Sequence, residues 1–196
     1  MTDTEVQLKG IIDDIVKKLA KLLDLSSLFH ASRAHIRQEF RAGLEEAEVK
    51  LNMNFTPDEN AIKFLEDYTF QNIKGMNDDI SEKLRKELSQ GLLNLESTSD
   101  LKKRVEFVMD VAEERAKMIA RTESMRARNM GSLEGAKQSR LKLVKEWDAS
   151  NDPCPTCKAL HGKRIALDAK FDYKGEQFLS PPAHPNCRCS LRYIQR

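Results

Sequence analysis

All four cysteines of the chain fall in its last 43 residues. They come as two close pairs, Cys154-Pro-Thr-Cys157 and His184-Pro-Asn-Cys187-Arg-Cys189. Two residues between thiolates let a tight turn present both sulfurs to one ion. Zinc takes four ligands in a tetrahedron. The cluster offers five donors, Cys154, Cys157, His184, Cys187 and Cys189, with His161 nearby in the sequence. The simplest set is the four cysteines. The alternative puts His184 in place of Cys187 or Cys189, and spacing leaves both open. Cys189 starts an expected strand, so Cys187 and Cys189 should face the same side of an extended backbone. Clustered pairs in a chain whose first residues lack a basic start and an apolar run point to metal rather than disulfides.

A catalytic zinc keeps an open position and a carboxylate to act as base. Glu176, Asp168 and Asp172 are the acids of the metal loop, and none has His-x-Glu or His-Glu-x-x-His spacing. The expected zinc is therefore structural, holding together a β-segment too small to build its own core. No Ser-His-Asp set, phosphate-binding glycine loop or carboxylate pair supports an enzyme, and no catalytic residue is assigned. A zinc-dependent nuclease or hydrolase is the alternative kept.

A second candidate lies upstream. Nine basic residues and two acids occur between Arg115 and Lys145, so this stretch carries +7 and the remainder of the chain −5. Arg121, Arg126, Arg128, Lys137, Arg140 and Lys142 are its candidate phosphate contacts. Aromatics are nearly absent there, which argues against stacking on single strands and leaves duplex DNA. A solvated helix face, or a surface for an acidic protein, explains the same charges. Glu123 falls on an apolar stripe, so it needs a basic partner. Arg121 lies about 200° around the helix from it and is a poor choice.

These residues must be positioned by helices first and strands later. Apolar residues at Ile11, Ile12, Ile15, Val16, Leu19, Leu22 and Leu23 predict a helix over 5–25. A second is predicted over 28–51, capped by Ser26 or Ser27. Thr56-Pro57-Asp58-Glu59 reads as a capping box for a third helix, which Gly75 should end near Ile73. Asn77-Asp78-Asp79 should then restart helix. Ser97-Thr98-Ser99-Asp100 should cap a last helix running to about Met130 and fraying at Gly131 and Gly135. Beyond Lys137 the pattern alternates. Strands are predicted around Leu141–Trp147, Lys163–Ala166 and Cys189–Ile194, with turns at Gly162, Gly175 and Ser180-Pro-Pro182. The fold class is α+β, long amphipathic helices followed by a small β-rich, zinc-stabilised module over 139–196. Residues 1–74 form a helical region suited to partner docking or self-association. No stretch is apolar enough to span a membrane.

Set in order, Arg121-Thr-Glu123, Asn129-x-Gly131, Lys145-x-Trp147, Asp152-x-Cys154-x-x-Cys157, Pro181-Pro182 and His184-Pro-Asn-Cys-Arg-Cys189 resemble the phage head morphogenesis domain. This is the family of phage Mu F-like and SPP1-type minor head proteins. The resemblance covers roughly 75–196, with Arg121, Glu123 and Trp147 as structural motif positions. It implies a minor component of a tailed-virus head, with the portal or major capsid protein as partner. Such a protein is assembled in the host cytoplasm and carried in the virion. The resemblance implies no enzymatic activity.

Overall fold

The computed structural model describes residues 25–195 together with Asp13 and Val16, with side chains from His30 onward. The predicted helix over 5–25 lies outside the described residues, apart from Asp13 and Val16, which are helical. Three long helices follow, α1 (Leu25–Leu51), α2 (Glu59–Leu93) and α3 (Thr98–Gln138). Then come β1 (Leu143–Asp148), the one-and-a-half-turn helix α4 (Pro155–Leu160), β2 (Arg164–Ala166), β3 (Phe171–Tyr173), β4 (Glu176–Phe178) and β5 (Ser190–Gln195).

The helix ends follow from local chemistry, with four corrections. The chain is already helical at Leu25, so Ser26 and Ser27 lie inside α1 rather than capping it. Asp58, not Thr56, caps α2. Its Oδ1 accepts from the N–H groups of Asn60 at 2.8 Å and Ala61 at 3.3 Å, the two donors a cap should satisfy. Thr56 instead docks on the end of α3. Its N–H donates to Gln138 Oε1 at 3.0 Å, and its carbonyl accepts from Gln138 Nε2 at 2.7 Å. The third correction is at Gly75, which does not end α2. A side chain there would meet open space, so glycine costs about 1 kcal/mol of propensity and the helix continues. At Ser97 the expected cap is present, with its Oγ accepting from Asp100 N at 3.3 Å and donating to Asp100 Oδ2 at 2.6 Å.

The fourth correction concerns Gly131 and Gly135, which lie inside α3. They mark a crossing with α1. A Cβ on Gly131 would collide with the carbonyl oxygen of Phe40, and one on Gly43 with that of Arg128. A Cβ on Gly135 would sit 2.6 Å from that of Ala47. Glycine is used here for close backbone approach.

The chain divides into two compact units. One comprises the described residues to His30 with Phe70–Lys117. Its interior holds Met76, Ile80, Leu84, Leu88 and Val108. Arg104 ties the end of α2 to the start of α3, reaching Glu87 at 2.6 Å and Glu96 at 2.6 and 2.7 Å. The other unit comprises Ala31–Thr69 and Met118–Arg196. Ile36, Phe40, Ile62, Leu65 and Ala127 form one core there. Leu133, Trp147, Leu160, Phe171 and Leu191 form a second together with Cys157, Cys187 and Cys189.

Strands lie at the three predicted places, and one further pair is unforeseen. A three-stranded antiparallel sheet has the order β2-β1-β5, with Trp147 opposite Leu191 and Lys145 between Ile165 and Tyr193. β3 and β4 form a separate hairpin, closed by Lys174 and Gly175. Both turn residues have positive φ, as a two-residue primed turn requires.

Two substitutions with the same propensity gain should part company. Gly75→Ala should raise the thermal midpoint slightly. Gly131→Ala should lower stability by about 1–3 kcal/mol, because the methyl group has nowhere to go. Thermal melts followed by circular dichroism check both.

Candidate metal centre

The knuckle is built on α4. Cys154 is its N-cap, with extended backbone, and its Sγ accepts from Cys157 N at 3.4 Å. Pro155 stands at the first helical position, where its missing N–H costs nothing. One short turn thus aims both sulfurs the same way.

The second half is a turn from His184 to Cys189. Cys187 N donates to His184 O at 3.2 Å, and Asn186 takes a positive φ, which asparagine tolerates. Helix α3 grips this turn at both ends. Thr122 Oγ1 accepts from Asn186 N at 3.0 Å, and buried Asn129 donates to Cys189 O at 3.1 Å. Neither contact was foreseen. Only the places of Thr122 and Asn129 among the ordered motifs hinted at them.

His184 Nε2 lies 3.1 Å from Cys154 Sγ and 3.2 Å from Cys157 Sγ. Its Nδ1 lies 2.8 Å from the Pro185 carbonyl. A proton on Nδ1 satisfies that carbonyl and leaves the Nε2 lone pair facing the two sulfurs. Cys157 Sγ is in turn 3.7 Å from Cys187 Sγ. Two groups could therefore hold a metal ion, Cys154 with Cys157 and His184, and Cys157 with Cys187 and Cys189. Cys157 belongs to both. All four cysteines are free thiols.

The spacing suits an ion. A tetrahedral zinc with bonds of ~2.3 Å holds neighbouring sulfurs about 3.8 Å apart. The charges would be eased by one too. Burial pushes the Cys157 thiol up to about 12. The Cys187 thiol is pushed up chiefly by the proton it shares with Cys189. Cys189 falls to about 5, because the Cys187 thiol donates to it, and the Ser150 N–H, Cys157 and the Trp147 indole act in the same sense. Burial and the neighbouring sulfurs oppose further ionisation in this pocket. No carboxylate belongs to either donor group among the described residues. His161 stands apart from both groups, with Nδ1 accepting from Ala149 N at 3.1 Å.

Lys145 was expected to share a face with Trp147, and it does so at full depth. Both are 0% exposed. The ammonium of Lys145 donates to the carbonyls of Leu167 at 2.6 Å and Leu179 at 2.7 Å, and lies 5.6 Å from the Phe171 ring. It fastens the loops on either side of the β3–β4 hairpin. Trp147 meets the hairpin edge-on, 5.1 Å from Phe171 and 6.3 Å from Phe178.

The basic stretch does not act as one surface. Arg126 pairs with buried Glu123 at 3.0 Å and lies over the Tyr68 ring. Arg128 reaches Glu39 at 3.0 Å and Glu46 at 3.5 Å. Lys137 pairs with Glu134 and Asp168. Arg121, Arg140 and Lys142 are exposed, and among the described residues they make no ion pair. Glu123 has thus found a basic partner one turn along its own helix, and Arg121 points elsewhere.

The model of the family described as Phage Mu protein F like protein matches residues 82–192. The chain belongs to the phage Mu F-like family. The match covers the last third of α2, all of α3 and both halves of the cysteine cluster. A relative is the minor head protein GP7 of Bacillus phage SPP1, 30% identical over 118 residues. The alignment covers 55% of this chain and 38% of that protein, so the chain spans well under half of its relative. No solved structure matches the chain. Membership in the Mu F-like family bears out the resemblance of the ordered motifs. Among the described residues no helix is long and apolar enough to cross a membrane.

Burial lowers the Lys145 value from 10.5 to about 8. The unfolded chain then holds more protons between those two pH values. Stability should rise with pH across that window, and the burial cost should be fully present below pH 8. Wild type should therefore gain stability relative to Lys145→Met as pH is raised from 8 to 10.5, since thiol titrations are common to both proteins. Denaturant melts at a series of pH values read this, and parallel profiles contradict it.

Proposed function

We propose that the chain is a structural minor head protein whose C-terminal module is fastened by one zinc ion, and whose helical N-terminal half docks on the portal or major capsid protein. Membership in a family that includes a minor head protein supports the first part. The observation that carries the second is the approach of His184 Nε2 to both knuckle sulfurs, with its other nitrogen already committed to a carbonyl. We assign the ligands as Cys154, Cys157, His184 and Cys187. Cys157 and Cys187 are at the separation an ion imposes. Cys189 stands beside the set and supports it from the start of β5.

The residues hold a metal without offering chemistry around it. Four protein donors fill a tetrahedron, and no acid stands in either donor group to serve as a base. This favours fastening over a nuclease or hydrolase. The finer division into a helical docking region over 1–74 and a head-protein domain over 75–196 belongs to the same proposal. So does a location in the virion after assembly in a host cytoplasm. Contact of the basic stretch with duplex DNA would fall to Arg121 on α3 and to Arg140 and Lys142 in the link after it, the candidates that make no ion pair among the described residues.

The single tryptophan makes the metal part testable, because Trp147 is buried in the same core as three of the sulfurs. Purified protein should hold one zinc per chain, and removing it with a chelator should shift the tryptophan emission to the red. Unchanged emission after complete removal rules out a fastening role. Cobalt in place of zinc should give the spectrum of a three-sulfur, one-nitrogen site. His184→Ala should alter that spectrum and Cys189→Ser should not; the reverse result replaces the ligand set. Absence of the protein from assembled heads and from portal complexes would remove the structural reading.

A further inference from the structure

The cysteine cluster holds a donor group that the zinc assignment leaves unused as a set. Cys157, Cys187 and Cys189 bring three sulfurs within 4.8 Å of one another, with Cys157 and Cys187 at 3.7 Å. Each of the three is no more than 2% exposed. The group that includes Cys154 and His184 differs in kind, since those two donors are partly exposed and one of them is a nitrogen. Leu133, Leu160, Phe171 and Leu191 share the core of the three sulfurs. The indole N–H of Trp147 is buried in that core too and makes no hydrogen bond. A donor thus stands ready for negative charge there.

We infer that Cys157, Cys187 and Cys189 form a second metal site, which takes a soft monovalent cation, the cuprous ion, in place of zinc. Thiolate sulfur selects soft ions. Zinc wants four donors, whereas this group offers three and lies away from water. A cuprous ion is satisfied by three. Bonds of ~2.3 Å in a trigonal plane set the sulfurs about 4.0 Å apart, which the present spacing allows. An apolar shell that excludes water also protects an ion that air oxidises in solution. The uncommitted indole N–H offsets part of the charge that three thiolates carry around one positive ion. The two sites share Cys157 and Cys187, so one ion excludes the other. That exclusion rests on the zinc ligand set proposed above, while the three-sulfur set stands on its own geometry. Loading the inner set leaves Cys154 and His184 without metal. The two loaded states therefore differ at the rim, where Cys154 is covered by zinc but open to alkylation beside the cuprous ion.

The test uses the full chain, stripped of metal, reduced and kept under nitrogen. Cuprous ion, supplied as its acetonitrile complex, is titrated against a coloured cuprous chelator, and zinc against a zinc chelator. Wild type should take up one cuprous ion per chain, show sulfur-to-metal charge-transfer absorption in the near ultraviolet, and release its zinc as it does so. Cys189→Ser should weaken cuprous binding about tenfold or more and leave zinc binding within about threefold of wild type. His184→Ala should do the reverse. Iodoacetamide labelling followed by mass spectrometry should mark Cys154 in the cuprous form of wild type and spare it in the zinc form. This label needs no variant, so it decides the matter if Cys189→Ser does not fold. The inference is overturned if wild type takes up no cuprous ion, or if a folded Cys189→Ser binds it like wild type. It is also overturned if one zinc and one cuprous ion occupy the same chain, or if Cys154 stays protected in the cuprous form. Cuprous uptake that depends on Cys189 in a chain that binds no zinc removes the zinc reading and leaves this one standing.

Discussion

Three sulfurs buried against one tryptophan cannot all ionise without a counter-charge, and they cannot all stay neutral without wasting the geometry that gathers them. Cys157, Cys187 and Cys189 are each no more than 2% exposed. They are also a large share of the core they occupy, beside Leu133, Trp147, Leu160, Phe171 and Leu191. A module with strands of three to six residues has little else to bury. The state of the sulfurs therefore decides whether the sheet, the knuckle and the closing turn share one core. Helix α3 is drawn into the same arrangement through Leu133, Thr122 and Asn129.

Lys145 makes a second link. The loops on either side of the β3–β4 hairpin are joined through one ammonium, which donates to a carbonyl of each. A lysine at that depth is tolerated because its ammonium is hydrogen-bonded to both carbonyls. The module thus gathers one cluster that could hold a cation and one cation that is held by carbonyls. Both stand in the same core, around Trp147 and Phe171.

The parts of this arrangement that were legible in the sequence are those set by local chemistry. The cap at Ser97, the alternation through Lys145 and Trp147, and the paired cysteine motifs all state their roles within a few residues. Glycine misled in both directions. Gly75 reads as a stop because its propensity is poor, yet nothing opposes the helix there and the neighbouring turns carry it through. Gly131 and Gly135 read as fraying for the same reason, whereas their missing side chains admit another backbone. That use depends on α1, some ninety residues away in the chain, and no local pattern encodes it. The β3–β4 hairpin and α4 are too short for periodicity to register. The pairing of Arg126 with Glu123 and of Lys137 with Glu134 was within reach of local spacing. The pairing of Arg128 with Glu39 and Glu46, by contrast, is invisible until α1 and α3 are side by side. The charge count of the basic stretch was correct, but its availability to a partner was not readable from it.

The crossing of α1 and α3 has a consequence for how the protein can change. Where backbone meets backbone, no side chain cushions the contact or tunes its distance. The separation is fixed by peptide groups common to every sequence, provided the glycines remain. The opposite side of α1, where Val49 stands 84% exposed, carries no share of that constraint. Substitutions there can accumulate without moving the helix. The same scaffold can thus be refitted to a different neighbour by repainting one face, while the cysteine-rich module it supports keeps its shape.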